Sequence, residues 1–320
     1  MPEVSVIVPN YNHAPFLAQR LDSILNQTFH DYELILLDDC SGDGSQELIR
    51  HYKEKFPGIR VFLNDHNGDN PFKQWDFGVR QAGGDFVWVA ESDDAATVNF
   101  LEEMVPILEK NTHVGLAYCD ARIIDGQGRP QGLISDNYRL SDRRRKSDYI
   151  NSGRNEIESH LCVRNTINNA SGVIFRKAGY IKAGFADHGM RYCGDWFLYL
   201  RMLLAADIGY KALPLNLLRV HAGSSSHRYY TDDLYLEEVL RIYRFLMQNL
   251  SISPDIKKKI RDEMARHFCA SLRRGFVPSR RGVAGMREMA PFFELGVLKF
   301  MWDFIVKKTW DRRAKCALWK

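Results

Sequence analysis

The first half of this 320-residue chain alternates short apolar runs with segments whose apolar residues recur at helical spacing. Residues 4–9 form a run typical of a buried strand, and residues 14–26 then place their apolar side chains on one helical face. The alternation continues with strand-like runs at 32–37, 59–63 and 85–90 and helical segments at 46–55 and 74–81. Strands that alternate with helices predict an α/β fold with a mostly parallel central sheet flanked by helices.

The alternation extends beyond residue 94, with one interruption. The sequence predicts helices at about 97–110 and 195–206 and strands at 114–124, 171–175 and 212–220. Residues 127–154 are polar, contain the basic run from Arg143 to Lys146, and predict a long loop that orders only on binding. From residue 232 onward the pattern is helical, with predicted helices at 232–249, 254–273 and 296–318.

Two acidic clusters follow apolar runs of this predicted sheet. Glu91, Asp93 and Asp94 end one run, and Asp38 and Asp39 end another. Carboxylates this close repel one another unless positive charge lies among them, which suggests a divalent cation and a phosphate-bearing ligand. Ligands of parallel α/β sheets bind beyond the C-terminal ends of the strands, where both clusters fall. The alternative for residues 92–94 is that they cap the helix that follows.

Composition disfavours several classes of protein. The apolar runs fall far short of the ~20 residues that cross a bilayer, and the N-terminus lacks the features of a signal peptide, so a cytoplasmic protein is expected. The six cysteines include no C-x-x-C pair, which argues against a structural zinc site and a disulfide framework. No G-x-G-x-x-G turn follows the first strand, which disfavours a dehydrogenase.

Four segments, taken together, resemble the family 2 inverting glycosyltransferases with the GT-A fold. They are Val4-Ser-Val-Ile-Val-Pro-Asn-Tyr-Asn12, Leu25-Asn-Gln-Thr-Phe29, Leu37-Asp-Asp-Cys-Ser41 and Glu91-Ser-Asp-Asp94. The resemblance covers roughly residues 3–227. It implies a Rossmann-like GT-A domain with a nucleotide-sugar half at 1–100 and an acceptor half at 101–230. Residues 231–320 fall outside the resemblance, and their helical pattern and charge predict a basic helical extension.

The resemblance also implies an activity. It predicts transfer of a sugar, with inversion, from a nucleotide-diphosphate donor, UDP or dTDP favoured, to a hydroxyl of a growing glycan in bacterial cell-surface polysaccharide synthesis. Two alternatives stay open: a catalytically degenerate scaffold subunit that binds nucleotide or glycan, and a sugar nucleotidyltransferase. The second is disfavoured because no Lys or Arg precedes Arg20, whereas such an enzyme is expected to carry a basic, glycine-rich loop after its first strand.

Matching the family's motifs assigns candidate donor and metal residues. Asp93 matches the family's metal-binding aspartate, and His221 matches a histidine that reaches the metal or diphosphate, so Mn²⁺ or Mg²⁺ is the expected cofactor. Tyr11 and Asp39 are expected to contact the base and ribose. Glu91 stands where the family usually has Asp, and its role toward metal or ribose stays open. The complete predicted donor-binding set is Pro9, Tyr11, Asn12, Asp39, Lys73, Glu91 and Ser92.

The same matching assigns the acceptor side. Asp195 matches the family's general base, which takes the proton from the acceptor hydroxyl during attack on the sugar. Asn169, Ser171 and Trp196 are the expected sugar or acceptor contacts. Without the family, a Gly-Asp pair before an apolar helix is more often an N-cap than a catalyst, although Asp195 can have both roles. Asn169 and Ser171 are then residues that satisfy the backbone of a turn.

Positive charge is concentrated at the C-terminus. The last 70 residues hold 17 Lys or Arg against 7 Asp or Glu. Residues 297–320 mix seven of these cations with tryptophan and other apolar residues, which suggests binding to an anionic membrane surface at the inner face of the membrane. A helix packed on the protein body is the open alternative. Nucleic acid is not an expected partner, because no nucleic-acid-binding motif accompanies the charge.

Overall fold

The computed structural model describes residues 1–137, 143–167, 169–221, 223, 233–273, 287–288 and 290–293. The chain forms two compact units. The first comprises Met1–Arg154, Ile167–Gly189 and Gly194–His221. The second comprises Asn155–Thr166, Met190–Cys193 and the described residues of Ala222–Lys320. The predicted division at residues 100 and 230 stays a prediction.

The start of the first unit follows the predicted alternation. The elements are β1 (Val4–Asn10), α1 (Ala14–Leu25), β2 (Tyr32–Asp38), α2 (Ser45–Lys55), β3 (Arg60–Leu63), α3 (Pro71–Gln81) and β4 (Phe86–Val89). β1 and β4 are buried along their whole length, as expected for central strands of a parallel sheet. The continuous apolar runs in the sequence are therefore a direct consequence of burial on both faces.

The rest of the chain up to His221 adds shorter elements. They are β5 (Ala95–Ala96), α4 (Phe100–Glu109), β6 (Val114–Asp125), β7 (Pro130–Leu133), β8 (Tyr149–Asn151), α5 (Gly153–Glu156), β9 (Val173–Arg176), α6 (Lys177–Lys182), α7 (Gly194–Leu203) and β10 (Asp207–Val220). The last strand begins five residues before its predicted start at 212.

One ten-stranded sheet organises the first unit. Its order is β3-β2-β1-β4-β9-β6-β10-β5, with β7 paired to β6 and β8 paired to β10. β1, β2, β3 and β4 are mutually parallel, and β6 and β10 are parallel to each other, whereas β9 runs antiparallel to both β4 and β6. The prediction of a mostly parallel sheet flanked by helices is confirmed, and the apolar core contains residues of β1, β2, β4, α1 and α4.

The predicted long loop at 127–154 is wrong for most of its length. β7 and β8 lie within it, and residues 134–137 and 143–146 form short 3-10 helices. Arg145 is only 6% exposed, and its guanidinium lies 5.4 Å and 5.6 Å from the ring centroids of Tyr118 and Tyr210. The basic run is therefore anchored by stacking on aromatic rings, an interaction that its polar composition does not reveal. Residues 138–142 lie outside the described residues.

The helix predicted from about residue 97 begins later, at Phe100. Residues 95 and 96 instead form β5, which pairs antiparallel with β10. The amide of Thr97 extends this pairing by donating to the Leu215 carbonyl at 2.8 Å. Because a strand separates residues 92–94 from α4, these residues do not cap that helix, and the alternative interpretation is wrong.

The second unit contains the helices α8 (Asp233–Asn249) and α9 (Pro254–Arg273), close to their predicted bounds. The helix predicted at 296–318, and with it the basic segment 297–320, lies outside the described residues. Among the described residues, no helix is both long and apolar enough to cross a membrane.

Candidate active site

The C-terminal ends of β1 and β2 carry the first acidic cluster. Asp38 is fully buried, and its Oδ2 accepts hydrogen bonds from Asn10 Nδ2 at 2.7 Å and from the Ser41 hydroxyl at 2.6 Å. The Ser41 hydroxyl also accepts from the amide of Asn12, whose φ of 56° places it in the left-handed region. Asp38 therefore fixes the turn after β1, and Tyr11 within that turn is left 47% exposed.

Asp39 holds a different loop. Its Oδ1 accepts from Asn64 Nδ2, the Gly68 amide and Gln74 Nε2 at 2.8 to 2.9 Å. Lys73, on the same helix as Gln74, is exposed and donates to the Gly68 carbonyl at 3.0 Å. The loop before α3 is thus bonded to the end of β2. Asp39 and Lys73, both predicted to bind the nucleotide-sugar donor, each contact Gly68 of this loop.

The second acidic cluster, residues 91–94, is called the acid loop here. It follows β4, and a fully buried arginine lies beneath it. Arg20 Nε donates to the Glu91 carbonyl at 2.9 Å, and its Nη2 lies 3.9 Å from Asp94 Oδ2. Arg219 contributes a second guanidinium, because its amide donates to Asp94 Oδ1 at 2.8 Å and its Nε donates to the Asp93 carbonyl at 2.7 Å. Guanidinium groups of the protein itself therefore supply part of the positive charge that the clustered carboxylates require.

The three carboxylates of the acid loop differ in their pKa values. Burial and the charge of Asp93 raise the pKa of Glu91 to about 8, and the same two causes raise the pKa of Asp94 to about 6. Burial also acts to raise the pKa of Asp93, but the hydrogen bond from His221 and the charges of His13 and His221 outweigh it and lower the pKa. Asp93 is therefore the carboxylate of the acid loop whose ionised form is favoured most, as a cation ligand requires.

Two histidines converge on Asp93. His221 Nε2 lies 3.1 Å from Asp93 Oδ2. Three potential ligand atoms, one each from His13, Asp93 and His221, lie within 4.8 Å of one another. His13 Nδ1 contacts the Ser92 hydroxyl at 2.8 Å, which orients its ring. Two imidazoles and a carboxylate form a donor set that fits a divalent transition-metal ion. Small side-chain rotations would bring all three groups onto one ion.

Asp195 is the second residue of α7 and is partly buried. Its Oδ1 accepts from the Trp196 amide at 2.7 Å. One turn further, the hydroxyl of Tyr199 is fully buried, and its pKa is raised far above the ordinary value by burial and by the charges of Asp195 and Glu91. The charges of Asp195 and Glu91, which are distant in sequence, therefore both act on one side chain.

Gly194 has a packing reason to lack a side chain. A Cβ at this position would lie 2.3 Å from Cε2 of Phe72, well inside van der Waals contact. The Phe72 ring in turn packs edge-on against Trp75 at 5.2 Å, and the Trp75 indole N–H donates to Glu91 Oε1 at 2.8 Å. A continuous path of packed groups therefore connects the residue before Asp195 to the acid loop.

The predicted sugar contacts lie near the acid loop. The Ser171 hydroxyl accepts from the Glu91 amide at 3.0 Å and is fully buried, so it holds the acid loop in place. Asn169 Oδ1 accepts from the Ser171 amide, whereas its Nδ2 is buried without an acceptor among the described residues. An unsatisfied buried donor of this kind is costly and suits a ligand hydroxyl. Trp196 is 3% exposed.

Pro9 completes the predicted set as the penultimate residue of β1, where it is buried. The roles of all the predicted site residues toward a ligand stay predictions.

Comparison with known proteins identifies the family of this chain. The model of glycosyl transferase family 2 matches residues 5–177, more than half of the chain. The chain belongs to glycosyltransferase family 2. The matched region contains both acidic clusters, and it ends before Asp195 and His221.

Curated relatives agree with this assignment. An uncharacterized glycosyltransferase of Haemophilus influenzae is 35% identical over 124 residues, which cover 38% of this chain and 49% of the relative. The poly(ribitol-phosphate) beta-N-acetylglucosaminyltransferase TarS of Staphylococcus aureus is 28% identical over 138 residues, which cover 42% of this chain and 24% of the relative. The matched region thus spans half or less of the length of these relatives.

Solved structures of similar fold include two glycosyltransferases. The crystal structure of S. aureus TarS 1–349 in complex with UDP-GlcNAc has a TM-score of 0.68 at 20% identity and covers 91% of this chain and 80% of that chain. The mannosyltransferase PcManGT from Pyrobaculum calidifontis, in complex with GDP-Man and Mn²⁺, has a TM-score of 0.56 at 15% identity and covers 97% and 88%. The GT-A fold of this family 2 member is therefore confirmed.

Several site residues are missed by sequence reasoning. His13 directly follows the Pro-Asn-Tyr-Asn segment, but its closeness to Asp93 depends on tertiary structure. Arg20 leaves a readable signal, because it falls within the apolar stripe of α1 formed by Leu17, Leu21 and Ile24, where a solvated arginine is not expected. Arg219 has no comparable signal, because its contacts with Asp93 and Asp94 join residues that are distant in sequence.

Proposed function

We propose that this family 2 protein transfers a sugar, with inversion, from a nucleoside-diphosphate donor to a hydroxyl of a growing glycan. The observation that carries the proposal is the grouping of His13, Asp93 and His221, and the charges of Asp195 and Glu91 both act on the buried Tyr199. This grouping supports a metal-bound diphosphate and a general base serving one reaction centre.

The turn after β1 and the acid loop are proposed to bind the nucleotide-sugar donor. Tyr11, exposed in the turn after β1, is proposed to stack on the nucleobase, and a bound UDP-sugar in TarS supports a uridine or thymidine diphosphate. His13, Asp93 and His221 would hold Mn²⁺ or Mg²⁺, which neutralises the charge of the leaving diphosphate. Despite the burial of Asp93, the hydrogen bond from His221 and the charges of His13 and His221 lower its pKa, which favours the ionised form that this role needs.

Asp195 is the proposed general base. Its carboxylate lies at the N-terminus of α7, where the helix dipole and the Trp196 amide favour the ionised form. From there it would take the proton of the acceptor hydroxyl as that oxygen attacks the anomeric carbon from the face opposite the diphosphate. A base of this kind contributes about 10²- to 10⁴-fold in rate. Asn169, with its unpaired buried amide, is proposed to bind a sugar hydroxyl.

The acceptor is proposed to be a glycan under assembly, either free or lipid-linked. The relative TarS acts on poly(ribitol-phosphate), which supports a cell-surface polymer as the acceptor class. The enzyme is proposed to work in the cytoplasm at the inner face of the membrane, where such polymers are built.

A screen of nucleotide sugars tests the proposed function. UDP-, dTDP- and GDP-sugars are incubated with Mn²⁺, and release of the nucleoside diphosphate is measured for the wild type, Asp93→Asn and Asp195→Asn. We expect one donor class to turn over, Asp93→Asn to lose metal-dependent nucleotide binding, and Asp195→Asn to bind nucleotide but lose turnover. NMR of the early product then shows whether the anomeric configuration is inverted. Nucleotide binding without turnover of any donor would instead favour a scaffold subunit.

A further inference from the structure

A buried carboxylate on α8 binds the backbone immediately before Asp195. Glu238 is 3% exposed. Its Oε1 accepts from the Arg191 amide at 2.6 Å, and its Oε2 accepts from the amides of Tyr192 and Cys193 at 2.9 Å and 2.7 Å. Three consecutive backbone N–H groups therefore converge on one side chain, and all four residues belong to the second unit.

These bonds fix a stretch of chain that has no regular structure of its own. Residues 191–193 form neither helix nor strand, so their conformation depends on side-chain partners. Hydrogen bonds from amides to a carboxylate are about twice as strong as those between neutral groups. A buried carboxylate without such donors would be strongly unfavourable, so Glu238 and the three amides constrain one another.

The fixed stretch leads directly into the proposed catalytic group. Cys193 is followed by Gly194 and then Asp195, so only one residue separates the constrained backbone from the base. Phe72 packs beside Gly194 and leaves no space for a side chain there. A base must sit within hydrogen-bond reach of the proton it removes, and a misplacement of about 1 Å can cost roughly 100-fold in rate.

We propose that Glu238 is a positioning residue that sets the place of Asp195 by holding the amides of residues 191–193. The inference rests on the proposed function, since it assigns Asp195 as the base. Glu238 lies outside residues 5–177, which match the family model, so the family match itself does not assign this role.

Two substitutions and a matched control test the inference in the full-length protein. Glu238→Gln removes the charge and one acceptor oxygen, so at least one amide faces an N–H group instead. Glu238→Asp keeps the charge on a shorter side chain. Glu237→Gln changes the neighbouring glutamate of the same helix, which is partly buried. Turnover of the donor found in the screen gives kcat, and calorimetry with UDP and Mn²⁺ gives nucleotide affinity.

We expect Glu238→Gln to lower kcat roughly 10- to 100-fold while the Kd for UDP changes less than about twofold. Glu238→Asp should retain more activity than Glu238→Gln, and Glu237→Gln should match the wild type. Because Glu238 acts through Asp195, adding Glu238→Gln to Asp195→Asn should cost no further kcat. If Glu238→Gln does not fold, Glu238→Asp gives the same comparison of kcat with UDP affinity.

The outcomes separate this inference from the proposed function. Wild-type kcat in Glu238→Gln, beside an inactive Asp195→Asn, overturns the positioning role and leaves the base assignment intact. Equal losses of kcat and UDP affinity, or a further loss in the double variant, show a general structural role and also overturn it. Wild-type turnover in Asp195→Asn refutes the base assignment, and the positioning role fails with it.

Discussion

At the scale of single residues, His13 changes what metal the site is expected to prefer. With Asp93 and His221 it supplies two imidazoles and one carboxylate, and imidazole ligands favour transition-metal ions over Mg²⁺. We expect the wild type to bind Mn²⁺ without nucleotide, and His13→Gln to weaken this binding on the order of 10- to 100-fold. Calorimetry or electron paramagnetic resonance of Mn²⁺ with the protein alone measures the affinity.

A histidine far from the acid loop provides the control for this prediction. His113 precedes β6 and its side chain is 59% exposed, so His113→Gln should leave the Mn²⁺ affinity unchanged. An unchanged affinity in His13→Gln would show that His13 is not a ligand and that its contact with Ser92 is structural.

Gly194 gives a second prediction at the residue scale. Gly194→Ala places a methyl group 2.3 Å from Phe72 Cε2, so the backbone beside Asp195 must shift, and we expect kcat to fall roughly 100-fold. Phe72→Leu removes Cε2 and Cζ of that ring. The double variant Gly194→Ala/Phe72→Leu should therefore recover part of the lost turnover, as measured by release of the nucleoside diphosphate.

The matched control for this clash is Gly58→Ala, because a Cβ at Gly58 meets nothing within 4 Å. It should retain wild-type kcat. Full activity in Gly194→Ala, or no recovery in the double variant, would contradict the steric explanation.

At the scale of elements, Glu33 links β1, β2, β3 and the turn after α3. Its carboxylate accepts from Arg60, the Ser5 hydroxyl and the Gly83 amide at 2.6 to 2.8 Å. Burial acts to raise the pKa of Glu33, but these hydrogen bonds and the charge of Arg60 lower it below the ordinary 4.5. The stabilisation is therefore complete above about pH 4.5 and is lost as the pH falls through the lowered pKa.

We expect Glu33→Gln to reduce the free energy of unfolding by about 1 to 3 kcal/mol at pH 7, and by less in acid once the wild-type carboxylate is protonated. Urea unfolding at a series of pH values measures both. Glu47→Gln, at a position with a 75% exposed side chain, should change little at any pH. A loss for Glu33→Gln that does not depend on pH would mean that the charge is not the source of the stabilisation.

The elements also show which parts of the fold a sequence can predict. β1 and β4 were predictable because burial on both faces requires continuous apolar runs. β7 was not, because its four residues are exposed or only partly buried and carry no apolar run. β8 has only three residues, and it pairs with β10, which lies more than 50 residues further along the chain.

The same reasoning applies to the candidate site. Asp93 and Asp195 carry local motifs, whereas the proximity of His13 to Asp93 and of Glu238 to residues 191–193 arises only when separate elements pack.

At the scale of the whole molecule, the C-terminal charge is the main feature that lies outside the described residues. The mixture of cations and tryptophans at 297–320 predicts binding to an anionic surface. We expect the full-length protein to sediment with vesicles that contain anionic lipid, and residues 1–296 to lose this binding. Neutral vesicles are the control, and equal binding by the shortened protein would contradict the prediction.

The buried Arg20 has a consequence for how the protein responds to ionic strength. Dissolved ions screen exposed charges over about 10 Å at 0.1 M salt, but they screen a fully buried guanidinium much less. The arrangement of the acid loop around Arg20 should therefore persist in concentrated salt. The attraction of exposed groups such as Lys73 for a dianionic ligand fades under the same conditions. Salt would thus lower the affinity for the nucleotide-sugar donor while leaving the conformation of the acid loop unchanged.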